Sequence, residues 1–269
     1  MPSLEERIRI LCADSLEGRR AGTVSERITV RLVAEWMTSA IQRPPIIDTF
    51  AFMDEDSLWR KSYNVYGILP GEVDSFIVLI AHYDHLGWGG IRSRSIGRHS
   101  VHPGADDNAS GVSLIIEIAA SLARNLRRNS YLFALISAHE PGLWGSQQAA
   151  KFLREKRYDK KTLAVVVLDM VGRMSPESSK LYIYHPPSHN IPCTMRSTSR
   201  QTLYSLTPKL EESDLRFSDC FAFVEMGLPC FLITTGYHDD YHRISDTPDK
   251  LNYEGIYRVF DYLRACYLE

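Results

Sequence analysis

Apolar runs and helical patterns alternate along most of the chain. Four nearly continuous apolar runs, FIVLIAH, YLFALISA, LAVVVLD and PCFLITTG, have the length and composition of strands buried on both faces. Other segments, such as NASGVSLIIEIAASLARNL and GSQQAAKFLREK, place apolar residues at helical spacing. Buried strands that alternate with helices predict an α/β fold, with a mostly parallel mixed sheet covered by helices on both faces.

Weaker patterns add further elements to this framework. SYNVYGILPG and KLYIYH indicate two more strands, and YEGIYRVFDYLRACYL indicates a closing helix. SERITVRLVAEWMTSAI predicts a helix near the start of the chain, for which Ser25 is a plausible N-cap. Neither an internal repeat nor an interdomain linker is recognisable, so we expect one domain over residues 1–269.

Composition and charge exclude several classes of protein. The 269 residues are 44% hydrophobic and 24% charged, and the net charge is -2. This charge gives no basic surface for nucleic acid, and no apolar run approaches the roughly 20 residues of a membrane-spanning helix. We therefore expect neither nucleic acid nor a membrane as a partner.

Cysteine usage and the first residues of the chain bear on its compartment. The five cysteines are odd in number and not closely paired, which argues against a disulfide framework or a CxxC zinc site. The opening segment, MPSLEERIRILCADSL, carries charges where a signal peptide needs an apolar core. As the chain stands this predicts a cytoplasmic protein, or a periplasmic or secreted one if a signal was trimmed.

Potential ligand side chains follow the predicted strands at their carboxyl ends, where α/β sheets bind their ligands. They are His82 and Asp84 after the first apolar run, Glu140 after the second, Asp169 after the third, His242 after the last, and Asp106 and Asp107 in a loop that enters a helix. Any one of them could be a helix cap or a satisfied polar group. Together they would bring several unpaired charges to one rim, which is costly.

Metal ions would resolve this cost. Two divalent cations bring four positive charges, which Asp107, Glu140, Asp169 and a bridging hydroxide balance. Imidazole and carboxylate ligands suit zinc, with manganese or cobalt as possible substitutes. Other catalytic motifs are missing, because HEPGL lacks the second histidine and the helix of HExxH, and neither GxSxG nor GxxxxGK[ST] occurs.

Six segments in the same order resemble the co-catalytic zinc aminopeptidases of peptidase family M28. They are SYNVYGILPG, AHYDHLG, HPGADDNASGVS, EPGLWGS, VLDMVG and GYHDDYHRISDTPDKL. The resemblance covers nearly the whole chain and implies an α/β/α sandwich of the zinc aminopeptidase or phosphorylase/hydrolase-like type. Such proteins hydrolyse the peptide bond next to a free N-terminal amine, so the implied partner is a peptide with a free N-terminus.

The resemblance also implies a site with two zinc ions. His82 and Asp169 would hold one ion, and Glu140 and His242 the other. Asp107 would bridge them, since it matches the carboxylate of the family's D-x-x-x-G pattern. The same resemblance assigns Asp84 to orient His82, a role that carboxylates commonly take beside metal-binding imidazoles. Asp246 could support His242 in the same way.

His139 stands where the family has its general base, a glutamate. A histidine can take this role, because its unperturbed pKa of about 6.5 lies near working pH. The alternative is that His139 only orients Glu140 or the water. A second departure is Cys220, where members commonly carry a histidine; we interpret it as a pocket-wall or packing residue.

Three functions remain open at this point. The leading one is a zinc-dependent aminopeptidase. The others are a metal-binding homologue with weak or no activity and a glutaminyl-cyclase-like acyltransferase. His85 and His238 lie inside matched segments but receive no role. Further aromatic and histidine residues of the loops could shape a pocket or simply be solvated: Trp88, His99, His102, His185 and His189.

Overall fold

An eight-stranded sheet forms the centre of the computed structural model, which describes residues 1–96, 99–175, 177, 180–187 and 206–267. Its strands are β1 (Ile46–Met53), β2 (Trp59–Leu69), β3 (Phe76–His82), β4 (Ser130–Ile136), β5 (Thr162–Leu168), β6 (Lys180–His185), β7 (Thr207–Glu212) and β8 (Cys230–Thr234). Their order across the sheet is β1-β2-β4-β3-β5-β8-β6-β7.

The centre of the sheet is parallel and its flanks are mixed. β3 pairs in parallel with both β4 and β5, and β8 extends this parallel group beside β5. Antiparallel pairs join β1 to β2, β2 to β4, and β6 to β8, while β7 runs parallel to β6 at the edge. The carboxyl ends of β3, β4, β5 and β8 therefore lie at one edge of the sheet.

Helices cover both faces of the sheet, as the sequence predicts. The helices are α1 (Leu4–Leu11), α2 (Val24–Ile41), α3 (Gly111–Ala123), α4 (Trp144–Glu155), α5 (Phe221–Val224) and α6 (Tyr253–Tyr267). Residues of α1, α2, α3 and α6 pack on one face, and residues of α4 and α5 pack on the other. All seven residues of β3 and of β4 are buried between these layers. This arrangement confirms the predicted fold class.

Local features depart from the sequence prediction at a few points. Strands β1 and β7 are additional to the predicted ones. The N-cap of α2 is Thr23 rather than Ser25, because the Thr23 hydroxyl accepts the main-chain N–H of Glu26. Ser25 lies within the first turn, where its hydroxyl pairs with that of Thr23. In the part of the chain that is described, no helix is long and apolar enough to cross a bilayer. The single-domain assignment stays a prediction.

Candidate metal centre

The five predicted ligand side chains meet at the carboxyl edge of the parallel strands. His82 is the last residue of β3, Asp169 directly follows β5, and Glu140 follows β4. Asp107 lies in an irregular helical turn, Ala105–Ser110, just before α3. His242 comes from the loop after β8. The topology that places these strand ends side by side thus brings together groups that are far apart in sequence.

The carboxylate of Asp107 lies between the two imidazoles. Its Oδ1 is 3.3 Å from His82 Nε2, and its Oδ2 is 3.3 Å from His242 Nε2. His82 Nε2 is also 3.4 Å from Asp169 Oδ1, and His242 Nε2 is 3.4 Å from Glu140 Oε2. Two groups of nitrogen and oxygen atoms therefore share the carboxylate of Asp107.

These separations fit metal coordination better than hydrogen bonding. Two atoms bound at about 2.0–2.2 Å to a tetrahedral zinc ion stand roughly 3.3–3.6 Å apart, whereas N–H···O hydrogen bonds span about 2.7–3.2 Å. His82 Nε2 and Asp169 Oδ1 are both buried without a hydrogen-bond partner within the described residues. The donor set thus fits two divalent cations, with zinc favoured by its mixed nitrogen and oxygen ligands.

Main-chain carbonyl groups fix the orientation of both imidazoles. His82 Nδ1–H donates to the carbonyl oxygen of Asp84 at 3.1 Å, and His242 Nδ1–H donates to that of Arg92 at 3.0 Å. Because a carbonyl oxygen only accepts, each ring carries a proton on Nδ1 and presents Nε2 to the carboxylates.

The surrounding carboxylates favour the charged form of both rings. Burial lowers the pKa of His242, but Asp107 and Glu140 outweigh it and raise that pKa to about 10. The pKa of His82 is likewise raised well above its usual value, because Asp107 and Asp169 outweigh complete burial. An imidazole must release its Nε2 proton to bind a metal, so metal binding here would release protons.

Two supporting carboxylates act differently from the expectation. The Asp84 carboxylate is 3.8 Å from His82 Nδ1, and it instead accepts the main-chain N–H groups of His139 and Glu140, each at 3.2 Å. The link from Asp84 to His82 is made by its main-chain oxygen. Asp84 therefore holds the loop after β4 through its side chain and the His82 ring through its backbone.

Asp246 supports a different residue from the expected one. Its carboxylate accepts the main-chain N–H groups of Asp106 and Asp107 at 3.0–3.1 Å. The partner of His242 Nδ1 is the carbonyl oxygen of Arg92 instead. Asp246 thus supports the candidate bridging residue rather than His242.

The structure also gives partners to two histidines that the sequence left without a role. His85 Nδ1 is 3.1 Å from Glu140 Oε1 and 3.8 Å from Asp107 Oδ2, so His85 lies against the second group of ligand atoms. His238 Nε2–H donates to Asp106 Oδ2 at 3.2 Å. In the sequence, His85 and His238 stand out only because they lie inside the matched segments. That position does not predict which carboxylate either histidine contacts.

His139 lies at the other end of the site. Its Nδ1 is 2.8 Å from Asp219 Oδ2, and its ring stacks on that of His82 with centroids 3.8 Å apart and planes at 7°. Burial and His82 lower the pKa of His139, but the Asp219 carboxylate outweighs them and raises it to about 9. No sequence pattern points to this partner, because Asp219 is 80 residues away.

The remaining candidates lie outside this cluster of ligand atoms. Cys220 is fully buried in the apolar core beneath α5, so it is a packing residue. The His102 ring contacts Ser93 and the carbonyl oxygen of Ser100, and the Trp88 and His99 rings stack together. His185 ends β6, with Nδ1 at 3.1 Å from the carbonyl oxygen of Pro186. His189 lies outside the described residues.

A cleft of about 570 Å³ opens beside Asp169. Its walls come from β6, β7 and β8 and from the segments that follow β7 and β8. Besides Asp169, they include four aromatic and two acidic residues: Tyr182, Tyr184, Phe217, Tyr237, Glu211 and Asp214. The cleft gives a ligand access to the Asp169 side of the candidate metal centre.

The α/β/α fold and the paired clusters of histidine and carboxylate define a candidate two-metal centre on a sheet of the hydrolase type. The chain matches the model of peptidase family M28 over residues 64–267. It belongs to this family.

The chain is also similar to individual proteins over much of its length. The chain is 24% identical over 218 residues to the uncharacterised protein YfbL of Escherichia coli K12, covering 71% of this chain and 66% of that one. It is 25% identical to leucine aminopeptidase 1 of Penicillium rubens, covering 82% of this chain and 59% of the relative. The chain thus spans less than two thirds of the length of these curated relatives.

Solved structures show the same fold at lower identity. A zinc aminopeptidase from Bacillus subtilis superposes with a TM-score of 0.81 at 17% identity, over 98% of this chain and 93% of that one. A glutaminyl cyclase from Bacteroides thetaiotaomicron gives a TM-score of 0.76 at 16% identity, over 98% and 96% of the two chains. At these identities the likeness concerns the fold alone.

Proposed function

We propose that this protein is a zinc-dependent aminopeptidase that releases N-terminal residues from peptides. The observation that carries the proposal is the pair of ligand groups around Asp107, whose oxygen atoms each lie 3.3 Å from a different imidazole. Membership of family M28 and the aminopeptidase names among the relatives support the reaction.

Each ligand has a specific place in the proposal. His82 and Asp169 would hold one zinc ion, Glu140 and His242 the second, and Asp107 both. When bound, the two ions would polarise the scissile carbonyl and lower the pKa of the attacking water. The cleft beside Asp169 would receive part of the peptide, and its open side would leave room for the chain beyond the scissile bond.

His139 is the proposed general base. In this role its Nε2 accepts a proton from the attacking water and then passes it to the leaving amine. The Asp219 carboxylate by itself favours imidazolium, whereas two nearby divalent cations disfavour it. We therefore expect the neutral ring, which can accept a proton, in the zinc-loaded enzyme.

The first experiment measures metal content and turnover together. Protein purified without chelator should contain about two zinc ions per chain and release N-terminal residues from short peptides. A chelator should abolish this release, and added zinc should restore it. Full zinc loading without turnover on a broad peptide panel would favour a binding homologue. Cyclisation of N-terminal glutamine without hydrolysis would favour the acyltransferase.

A second experiment addresses the base. His139→Ala should lower kcat by about 10²–10⁴, the usual contribution of a positioned base, while zinc content stays unchanged. His139→Glu restores a carboxylate at this position and should recover part of the loss. An unchanged kcat in His139→Ala would remove His139 from the mechanism but leave the aminopeptidase proposal in place.

A further inference from the structure

We propose that Asp219 is a positioning residue that acts through His139, holding the ring so that Nε2 is the atom that exchanges protons at the metal centre. This inference rests on the proposed function, because it assigns a partner to the proposed base. It also explains how this chain can use an imidazole where its family uses a carboxylate.

The first support is the hydrogen bond between the two side chains. His139 Nδ1–H donates to Asp219 Oδ2 at 2.8 Å, and the Asp219 side chain is completely buried. A carboxylate only accepts, so the neutral ring keeps its proton on Nδ1 and its lone pair on Nε2. The Asp219 carboxylate also stabilises the imidazolium that forms when Nε2 takes up a proton.

The second support is the rigid attachment of Asp219. It lies in a tight turn in which Ser218 N–H bonds the Leu215 carbonyl oxygen and Phe221 N–H bonds that of Ser218. The neighbouring Cys220 is buried in the apolar core and is the N-cap residue of α5. A carboxylate on such a turn has little freedom to leave the His139 ring.

The third support is the stacking of His139 on His82, which excludes a shared metal ion. The ligand atoms of His82, His139 and Asp169 lie within 4.8 Å of one another, so proximity alone would allow one. However, the two rings are parallel within 7° and their centroids are 3.8 Å apart. Imidazole lone pairs lie in the ring plane. An ion about 2 Å from His82 Nε2, in that plane, would therefore lie well outside the plane of His139.

Three contacts thus hold His139 in place, and its Nε2 atom remains available for proton transfer. Asp84 accepts its main-chain N–H, Asp219 accepts Nδ1–H, and His82 covers one face of the ring. No hydrogen bond from the described part of the chain occupies Nε2. The proton taken from water resides on Nε2 until the leaving amine receives it, and the Nδ1 proton stays between His139 and Asp219 throughout.

A double-mutant cycle tests this assignment. Asp219→Ala should lower kcat by about 10- to 100-fold, as loss of a supporting partner commonly does, with KM and zinc content unchanged. In a His139→Ala background the same substitution should change kcat less than about twofold, because the ring on which Asp219 acts is gone. Asp219→Asn, which can still accept Nδ1–H through its amide oxygen, should lose less activity than Asp219→Ala. Glu225 is an exposed acidic residue at the end of α5, and Glu225→Ala is the matched control. This variant should retain wild-type kcat.

A readout without turnover completes the test. In zinc-loaded, ¹⁵N-histidine-labelled protein, long-range ¹H–¹⁵N correlations should show His139 protonated on Nδ1, and Asp219→Ala should shift this ring towards a mixture of tautomers. Equal losses of kcat in both backgrounds, or a fall in zinc content, would instead make Asp219 a general support of the site. An inactive wild-type protein would refute the aminopeptidase proposal, while the tautomer measurement would still decide the role of Asp219.

Discussion

At the scale of single residues, carboxylates that hold main-chain groups are as important to the site as those that face the metals. Asp84 accepts the N–H groups of His139 and Glu140, and so fixes the loop that carries the proposed base and one ligand. Asp246 does the same for the turn that carries Asp107. Both carboxylates are completely buried.

Asp84→Asn tests this role. An asparagine offers only one oxygen, and its amide NH₂ would face one of the two main-chain N–H groups that the carboxylate now accepts. We expect zinc affinity to fall about tenfold, because the Glu140 loop is less well held. Zinc titration against a competing chelator measures the change, with the exposed Asp74→Asn as control. Equal affinities of Asp84→Asn and the wild type would show that the loop keeps its position without the carboxylate.

The sequence predicts which residues meet at the site better than it predicts their partners. The ligands His82, Glu140 and Asp169 follow apolar runs, and parallel strands end at a common edge, so their convergence can be inferred. The contact between His139 and Asp219 depends on how a loop after β7 folds over the end of β4. No local pattern encodes that geometry. The two hydrogen bonds that the Asp84 carboxylate accepts could not be predicted from the sequence either, because their donors are main-chain N–H groups.

At the scale of secondary structure, the short helical segment Asp14–Arg19 attaches the start of the chain to the site. The buried guanidinium of Arg19 donates to four carbonyl oxygens at 2.5–3.1 Å. These belong to Leu11, Tyr83, Pro103 and Gly104. One side chain thereby links α1, the end of β3 and the loop that leads into the Asp107 turn.

Arg19→Met should therefore be strongly destabilising. The substitution keeps much of the apolar volume but leaves four carbonyl groups without their donor, at a cost of about 1–3 kcal/mol for each group that water cannot reach. We expect a loss of at least about 3 kcal/mol in the free energy of unfolding, measured by urea denaturation. The neighbouring Arg20 is partly exposed, and its partner Asp54 also forms an ion pair with Arg60 that remains when Arg20 is replaced. Arg20→Met should therefore cost about 1 kcal/mol or less. Similar losses for both variants would contradict the special role of Arg19.

The elements that the sequence predicts best are those buried on both faces. β3 and β4 are buried throughout and appear as uninterrupted apolar runs. β1 and β7 lie at the two edges of the sheet. β1 has only two buried residues, and β7 has the sequence TPKLEE with a proline and three charges. Edge strands commonly carry charges and proline, which remove the apolar pattern on which prediction depends.

At the scale of the whole molecule, the fold concentrates negative charge at one edge of the sheet. Asp107 and Glu140 are almost completely buried there, and Asp169 is partly so. The nearby imidazoles hold the pKa of both Asp107 and Glu140 below the usual range, against the effect of burial. Divalent cations would compensate these charges directly, so metal binding and folding stability should be linked.

Zinc should therefore raise the thermal midpoint of the protein. A ligand at 100 times its Kd stabilises the folded state by about 2.7 kcal/mol per site, which for a chain of this size corresponds to a rise of roughly 5–10 °C. Asp169→Asn removes a proposed ligand of one ion only, so it should bind about one zinc ion and lose roughly half of the stabilisation. The exposed Asp74→Asn should keep the full rise. If Asp169→Asn retains both ions and the full rise in midpoint, Asp169 is not a ligand and the charge at this edge is balanced by another group.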